Sequence, residues 1–556
     1  MIVIDVRGGV MPEQPTHSVP PPAGTGAATA QPAALVSGPA RPGAAWPSGG
    51  YHPYQPWVPV RAPWLRATDA AKPAAPPLAV LWSALGAGLL TAALFADGLG
   101  AGALVCALAV AVGAGAAAHR AGRRLRPWTV VWSVAALVLL AVPALTDADW
   151  PTALALVAAV GSASLALHGG RRWAGVLFGA VGFAEYWIDA VPWLLGALRG
   201  RSLPARQRWL PAVRAVGLAA VLLVVFGALF ASADAAMGEL LGGLVPPLDV
   251  SGLPVRAVLF VLGAFGALVV ARAAAAPRRW DRLPVKRGRE RGRVEWAVPL
   301  VALIVLFAGF AAVQAAVLVG GYRRFVRTPG ISAADYARQG FWQLLWVTVL
   351  TLVVVGLAKR WAPRSSARDV LLVKGVLGLL CALTLVVVAS AVRRMQLYVD
   401  AFGLTRLRLS VVWAECWLGS VFLILLVAAV LGSVRRLPRV LVLSAVVAVA
   451  AFGLIRPDAV IADQQVDRFH RTGRIDLAYL RELSTDAVPA LDRLPVDQRL
   501  CALEPTVRRL STDPAPWYAI SLSESRARDL LRSGTASAGE VGAACTRSGL
   551  DESSRY

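Results

Sequence analysis

Charged residues are scarce in this chain, and carboxylates are scarcer than cations. Only 16% of the 556 residues are charged, and 33 Asp and Glu residues stand against 56 Lys and Arg residues. Hydrophobic residues make up 57% of the chain and the mean hydropathy is +0.60, whereas soluble globular domains contain about 45–50% apolar residues. This composition excludes an ordinary soluble domain.

Catalytic and metal-binding signatures are missing as well. The chain has no GxxxxGK[ST] phosphate loop, no HExxH zinc motif and no GxSxG nucleophile turn. Its five cysteines form no CxxC pair and no Cys/His cluster. We therefore expect no catalytic residue, no cofactor and no metal site, and we favour a non-enzymatic protein while leaving enzyme activity open.

What the sequence does contain is a series of long apolar runs. A helix of about 20 apolar residues crosses the hydrocarbon core of a bilayer, which is about 30 Å thick. The predicted spans are 77–96, 99–118, 128–146, 151–168, 211–231, 253–272, 295–319, 341–358, 369–391, 409–432 and 437–455. The sequence thus predicts an all-α, polytopic transmembrane helical bundle in residues 76–455, with about eleven spans and a twelfth as an alternative.

Arginine-rich loops predict the orientation of this bundle. They lie at 119–127, 171–173, 200–209, 278–293, 359–368 and 435–439. Strict alternation of the spans places all of them on one side, and basic loops normally stay in the cytoplasm. We therefore expect a bacterial plasma membrane protein with a cytoplasmic N-terminus and an extracytoplasmic C-terminus. The same loops account for the net charge of +23, so we expect membrane lipids as partners and no nucleic acid.

Segment 173–200 does not fit this alternation, because basic loops flank it on both sides. Glu185, Asp189 and Pro192 also interrupt its apolar run. We expect a re-entrant hairpin or an interfacial amphipathic helix, with a true span as the alternative.

The two ends of the chain differ in composition from the bundle. Residues 1–75 are rich in Pro, Ala and Gly, which predicts a disordered cytoplasmic tail. Residues 456–556 are polar and contain helix-capping residues, which predicts a small helical extracytoplasmic tail. Cys501 and Cys545 lie in this tail, where an oxidising compartment would permit a disulfide, but no spacing rule decides whether they pair.

Arginine and tyrosine side chains concentrate in two loops, 320–345 and 393–410, which the alternation places outside the cell. The candidate side chains are Tyr336, Arg338, Arg394, Tyr398, Arg406 and Arg408. Gly403 is expected to end one helix and Thr405 to cap the next. Arginines in the first turn of that helix oppose its dipole by about 0.3–1 kcal/mol each, so an anion should lie nearby.

Two kinds of anion fit this position. The first is a carboxylate from another extracytoplasmic segment, which would form an ion-pair lid over the bundle; the candidates are Asp234, Glu239, Asp249, Asp335 and Asp400. The second is the phosphate of a lipid headgroup or of a lipid-linked precursor, which arginine binds in a fork geometry. The sequence leaves both alternatives open.

Carboxylates suggest two further sites. Glu415 lies about two turns inside a predicted span, and an ionisable group there is a functional candidate by default, although a structural role is the simpler interpretation. Asp147 and Asp149 form a DxD pair in a short loop. Such a pair can hold a divalent cation, as in lipid-linked glycosyltransferases, while an acidic turn before a helix is the simpler interpretation.

Four segments in order resemble a known family. They are LFASADA (229–235), DYARQGFWQLLWV (335–347), LYVDAFGLTRLRL (397–409) and RTGRIDLAYLRELSTDAVPAL (471–491). Together they resemble bacterial polytopic membrane proteins grouped as domain of unknown function 4173, close to domain of unknown function 4153. The resemblance implies a bacterial membrane location, no established activity and no catalytic residues to carry over.

These observations predict where the protein lies better than what it does. The leading hypothesis is a non-enzymatic binding, scaffold or envelope protein with an Arg/Tyr-rich outer surface. The first alternative is a transporter or flippase of an anionic amphiphile that uses the four arginines of that surface. The second is a lipid-linked transferase that uses Asp147 and Asp149.

Overall fold

A computed structural model describes residues 68, 73, 75–199, 219, 222, 226, 252–283, 288–320, 333–432, 436–512, 516–532 and 538–548. The side chains of 197–199, 317–320, 333–341, 512 and 538–542 are outside this description. Within it, every regular element is helical, which confirms the predicted all-α class. Nearly all of the predicted disordered tail, 1–75, lies outside the described residues.

Thirteen α-helices of the described residues belong to the bundle. They are α1 (Leu78–Leu94), α2 (Gly102–Arg120), α3 (Pro127–Leu140), α4 (Val142–Leu145), α5 (Asp149–His168), α6 (Trp173–Val181), α7 (Tyr186–Arg199), α8 (Leu253–Ala275), α9 (Arg293–Gly320), α10 (Ala333–Trp361), α11 (Ala367–Phe402), α12 (Arg406–Leu431) and α13 (Leu437–Leu454). Ten segments of this set are long and apolar enough to cross a membrane, counting α3 with α4 and α6 with α7 as single segments; α1 is a shorter apolar helix. The predicted polytopic helical bundle is confirmed, while the predicted span 211–231 falls almost entirely outside the described residues.

The bundle has two ends with different chemistry. The turns after α1, α4, α11 and α13 lie at one end, which we call the capped end because the C-terminal helices contact it. The opposite, basic end brings arginine-rich turns together. There Arg123 donates hydrogen bonds to the carbonyl oxygens of Ala274 at 2.5 Å and Leu167 at 2.9 Å, and Arg439 donates to that of Gly170. The described basic loops therefore meet at one end, as the alternation predicts.

Small residues allow close helix packing in the bundle. A Cβ added at Gly88 of α1 would lie 2.8 Å from the backbone oxygen of Phe260 in α8, and one added at Gly263 of α8 would lie 2.3 Å from the hydroxyl of Thr91. Small residues at such positions let helix backbones approach closely. Close packing matters in a membrane because lipid supplies little hydrophobic driving force for helix association.

The 173–200 segment forms two helices joined by one short 3₁₀ turn. Just before α6, the backbone N–H of Arg172 donates to Asp281 at 2.9 Å. At the start of α7, the hydroxyl of Tyr186 donates to the carbonyl oxygen of Ala276 at 3.0 Å. Both helices thus begin beside the same basic-end turn, which fits a re-entrant or interfacial path. Their combined length also suffices for a crossing, so the choice stays a prediction.

Helix α11 is unusually long. Its 36 residues extend about 54 Å at 1.5 Å per residue, well beyond a hydrocarbon core of about 30 Å. It ends at Gly403, whose φ of 79° suits glycine, and Thr405 then caps α12 by accepting the backbone N–H of Arg408. Both local predictions are confirmed.

Six more α-helices follow the bundle in the described part of the C-terminal region. They are α14 (Pro457–Thr472), α15 (Leu477–Leu480), α16 (Val488–Leu491), α17 (Val496–Thr512), α18 (Leu522–Leu531) and α19 (Ala538–Arg547). Helix α14 ends at Gly473 (φ 69°), and Asp476 caps α15 by accepting the N–H of Tyr479 at 3.0 Å. Ile461, Val466 and neighbouring apolar side chains form their own buried core, and a disulfide joins Cys501 to Cys545.

Candidate functional site at the capped end

An ion pair between Arg406 and Asp458 is at the centre of the capped end. The guanidinium of Arg406 donates from Nε to Oδ1 of Asp458 at 2.9 Å and from Nη2 to Oδ2 at 2.6 Å. The side chain of Asp458 is 0% exposed and that of Arg406 is 35% exposed. A two-point contact of this kind fixes orientation as well as charge, so it fastens the first turn of α14 to the first turn of α12.

Backbone groups complete this contact. The N–H of Ser484 donates to Asp458 at 2.9 Å, and Arg406 also donates to the carbonyl oxygen of Glu482 at 2.9 Å. The backbone N–H of Arg406 donates to the hydroxyl of Tyr479 at 2.7 Å, and burial raises the pKa of that phenol. The carboxylate offsets the arginine charge that the dipole of α12 disfavours, while the N-terminus of α14 itself favours a carboxylate.

A second contact joins two copies of the same tripeptide. Thr-Asp-Ala occurs at 68–70, at 146–148 between α4 and α5, and at 485–487 just before α16. The contact joins the last two copies. The Thr146 hydroxyl donates to Asp486 at 2.6 Å, and the Thr485 hydroxyl donates to Asp147 at 2.8 Å. Backbone groups repeat the exchange, since the N–H of Asp147 donates to Asp486 at 3.2 Å and that of Thr485 to Asp147 at 3.1 Å. We call this reciprocal contact the Thr-Asp clasp.

The clasp occupies the first carboxylate of the predicted DxD pair. Arg509 also binds Asp147, at 2.7 Å. The carboxylate of Asp147 therefore accepts from three groups of the C-terminal region, namely the N–H and hydroxyl of Thr485 and the guanidinium of Arg509. Asp149 is exposed at the start of α5. Among the described residues, no group of three or more His, Cys, Asp or Glu side chains is placed to hold a metal ion. The structure therefore uses Asp147 as a docking residue.

A polar cleft of about 260 Å³ lies beside the clasp. Its charged lining comprises Asp97, Asp147, Asp149, Arg509, Glu524 and Arg528. Most of these charges are already bound within the chain, since Arg528 pairs with Glu524 at 2.6 Å and the hydroxyl of Tyr518 donates to Asp97 at 2.7 Å.

Comparison with known proteins gives one match. A family model described as Domain of unknown function (DUF4153) matches residues 134–494, more than half of the chain. The chain belongs to this family. The sequence motifs indicated domain of unknown function 4173, with domain of unknown function 4153 as a close relative. The family model that matches is the one for 4153. No curated protein and no solved structure matches the chain.

The DUF4153 match includes both sides of the docking contact. Arg406, Asp458 and both Thr-Asp-Ala tripeptides of the clasp lie within its range, whereas Arg509 and the disulfide lie beyond it. The family description and the multi-pass fold together make this an integral membrane protein of unknown function.

The predicted headgroup residues of this DUF4153 protein are only partly brought together. Arg408 lies 4.4 Å above the ring of Tyr398 and donates to the carbonyl oxygens of Phe402 and Gly403. No carboxylate pairs with Arg408 in the described part of the chain. Arg394 is half-buried on α11. Tyr336 and Arg338 lie on the first turns of α10, and their side chains are outside the described residues.

Glu415 is fully buried in α12. The hydroxyl of Thr348 in α10 donates to its Oε1 at 3.0 Å, and Oε2 has no hydrogen-bond partner among the described groups. Neither the cleft beside the clasp nor the larger cavity at the basic end is lined by Glu415. Its prediction as an intramembrane ionisable residue stays a prediction.

Sequence reasoning missed the acid that binds Arg406. The carboxylate is Asp458, which was not among the five candidates, although a nearby anion was expected. Asp234, Glu239, Asp249 and the side chain of Asp335 lie outside the described residues, so those candidates stay predictions. Asp400 is exposed and has no ion pair with another described residue. A signal for the clasp was present in the sequence, because VPAL at 142–145 precedes one of the two Thr-Asp-Ala tripeptides of the clasp and VPAL at 488–491 follows the other.

Proposed function

We propose that this protein is a non-enzymatic binding or scaffold protein of the bacterial cytoplasmic membrane. Its C-terminal helices form a fixed lid over the extracytoplasmic end of the bundle. The ion pair between Arg406 and the buried Asp458 carries this proposal, because a residue of the chain itself supplies the acid that the outer arginine requires. The Thr-Asp clasp supports it at a second, independent point.

Two observations support the orientation. The arginine-rich turns meet at the end opposite the lid, and such turns remain in the cytoplasm. The lid contains the disulfide between Cys501 and Cys545, and structural disulfides persist in oxidising compartments outside the cytoplasm.

Cysteine labelling in intact cells tests the orientation. Trp517 of the lid is 74% exposed and Leu125 of a basic-end turn is 82% exposed. In a background whose free cysteines are replaced, a membrane-impermeant maleimide should label Trp517→Cys in intact cells and Leu125→Cys only after permeabilisation. The reverse pattern would show that the lid is cytoplasmic.

We further propose that the outer surface near Arg408 binds an anionic headgroup. Arg408 and Tyr398 present a cation beside an aromatic ring without a carboxylate partner among the described groups, which suits the phosphate of an anionic headgroup. Arg406 already pairs with Asp458 of the lid. Native mass spectrometry of the purified protein should therefore show less co-purifying anionic phospholipid in Arg408→Gln, with no such loss in Arg406→Gln. Unchanged lipid in Arg408→Gln would reject headgroup binding and leave the lid intact as a proposal.

A further inference from the structure

A mostly apolar cavity lies at the basic end of the bundle. Its volume is about 430 Å³, and it lies between α10, α11, α12 and the start of α13. Its walls are apolar over most of their extent, including Val355, Leu377, Cys381, Leu425 and Ala429. Sites that hold small ligands typically have about 300–1,000 Å³ and mostly apolar walls.

Three cations stand at one side of this cavity. They are Lys359 at the end of α10, Arg364 in the following turn and Lys374 on α11. Lys359 and Lys374 are two of the four lysines in the chain. No carboxylate of the described residues lines the cavity. The nearest acid in sequence, Asp369, binds Arg293 and caps α11 instead.

These cations are not neutralised by the described residues. Lys359 and Lys374 form no ion pair within the described part of the chain, and Arg364 donates to a neutral carbonyl oxygen, that of Lys359, at 2.8 Å. Lys374 lies seven residues inside α11, about 10 Å from its first residue along the axis. A cation at that depth is costly unless it reaches the interface or meets an anion.

The walls indicate what carries the anion. Val370 lines the cavity and is 46% exposed, and Leu371 next to it is 72% exposed. Across the cavity, Val430 and Leu431 at the end of α12 are 76% and 72% exposed. In a membrane-spanning bundle exposed apolar side chains of this kind face lipid, and they adjoin the lining residues Val370 and Ala429, so the cavity lies beside acyl chains. A soluble anion would leave the apolar walls without a partner.

We propose that this cavity binds a phospholipid with a net negative headgroup from the adjoining leaflet. The phosphate lies against Lys359, Arg364 and Lys374, and the upper part of one acyl chain lies along Leu377 and Leu425. Basic pockets between helices at the cytoplasmic face are a known mode of anionic lipid recognition. The site is distinct from the outer surface near Arg408 and does not rest on the proposed function; only the name of the leaflet does.

The test compares lipid retention by the full-length protein. The purified chain is equilibrated in mixed phosphatidylglycerol and phosphatidylcholine nanodiscs, released, and examined by native mass spectrometry. Lys359→Gln with Lys374→Gln should lower retained phosphatidylglycerol by about fivefold for each lysine removed. Gly378→Leu should lower it without changing charge, since a Cβ at Gly378 meets Leu426 at an ordinary 3.6 Å and the longer side chain fills the cavity.

A matched control removes the same charge elsewhere at the same end. Arg120 and Arg124 are exposed and do not line the cavity, so Arg120→Gln with Arg124→Gln should retain phosphatidylglycerol like the wild type. Equal losses in both double variants would show nonspecific attraction and overturn the site. Retention of phosphatidylcholine at the same level as phosphatidylglycerol would contradict a site for a net negative headgroup. Full competition by glycerol 3-phosphate would contradict a lipid site.

Discussion

Removing the charge of Arg406 should release the lid from the bundle. In Arg406→Gln the carboxylate of Asp458 would keep the N–H of Ser484 and a long contact of 3.5 Å from Trp150. Breaking a buried ion pair by removing one partner costs about 3–5 kcal/mol. Because the Arg406 side chain is about one third exposed, solvent screens part of that effect, and we expect about 3 kcal/mol.

The assay is hydrogen exchange of the lid in detergent, read by mass spectrometry over residues 457–512. If the lid loses about 3 kcal/mol of stability, the exchange rate of the amides that become exposed when it opens rises by roughly two orders of magnitude. Asp458→Asn added to Arg406→Gln should recover part of this loss, because the double variant buries no unpaired charge. The Arg493–Asp463 pair, with side chains 49% and 57% exposed, supplies a control, and Arg493→Gln should change stability by less than about 1 kcal/mol.

Two results would refute this reasoning. Exchange of the lid in Arg406→Gln at the level of the Arg493→Gln control would show that the ion pair does not hold it. Additive losses in the double variant would show that Arg406 and Asp458 act independently, since contacting residues couple by about 0.5–3 kcal/mol.

Three further predictions concern the lid. Thr146→Val removes a donor to the 2% exposed carboxylate of Asp486 and should destabilise the lid by about 1–3 kcal/mol in denaturant unfolding; a change within error would contradict the clasp. Cys501→Ser breaks the disulfide and should lower stability by about 2–5 kcal/mol, checked by thermal unfolding with and without reductant, where only the wild type should respond. The hydrogen bond from Arg547 lowers the pKa of Asp497 below its ordinary 3.8, so its stabilisation is present above that pH and is lost as pH falls through the lowered value. Unfolding curves of wild type and Asp497→Asn should therefore converge below about pH 4, and a constant difference down to pH 2 would contradict the assignment.

The bundle was predictable because its determinants are local. Apolar length and turn chemistry are read within one segment, so Gly403 and Thr405 marked the end of α11 and the start of α12. In the lid, Gly473 ends α14 and Asp476 caps α15 through equally local contacts. Each of these signals acts over a few residues, and the surrounding sequence does not compete with it.

The lid contact was not predictable because its determinants are distant in sequence. Arg406 and Asp458 are 52 residues apart, and Thr146 and Asp486 are 340 residues apart. Arginines in the first turn of a helix predict a nearby acid, but that prediction does not say which acid. Asp458 is the partner because α14 packs against the start of α12. The orientation of the bundle and the path of 173–200 stay predictions, because apolar length and loop charge are compatible with more than one path for that segment.

The Thr-Asp clasp constrains how the chain can change over evolution. Each tripeptide supplies a hydroxyl and accepts one, so a substitution at Asp147 removes an acceptor from Thr485, and one at Asp486 does the same to Thr146. A lineage that alters one tripeptide should therefore alter the other. Paired substitutions at these two places, some 340 positions apart, would let related sequences reveal the docked arrangement without any structure.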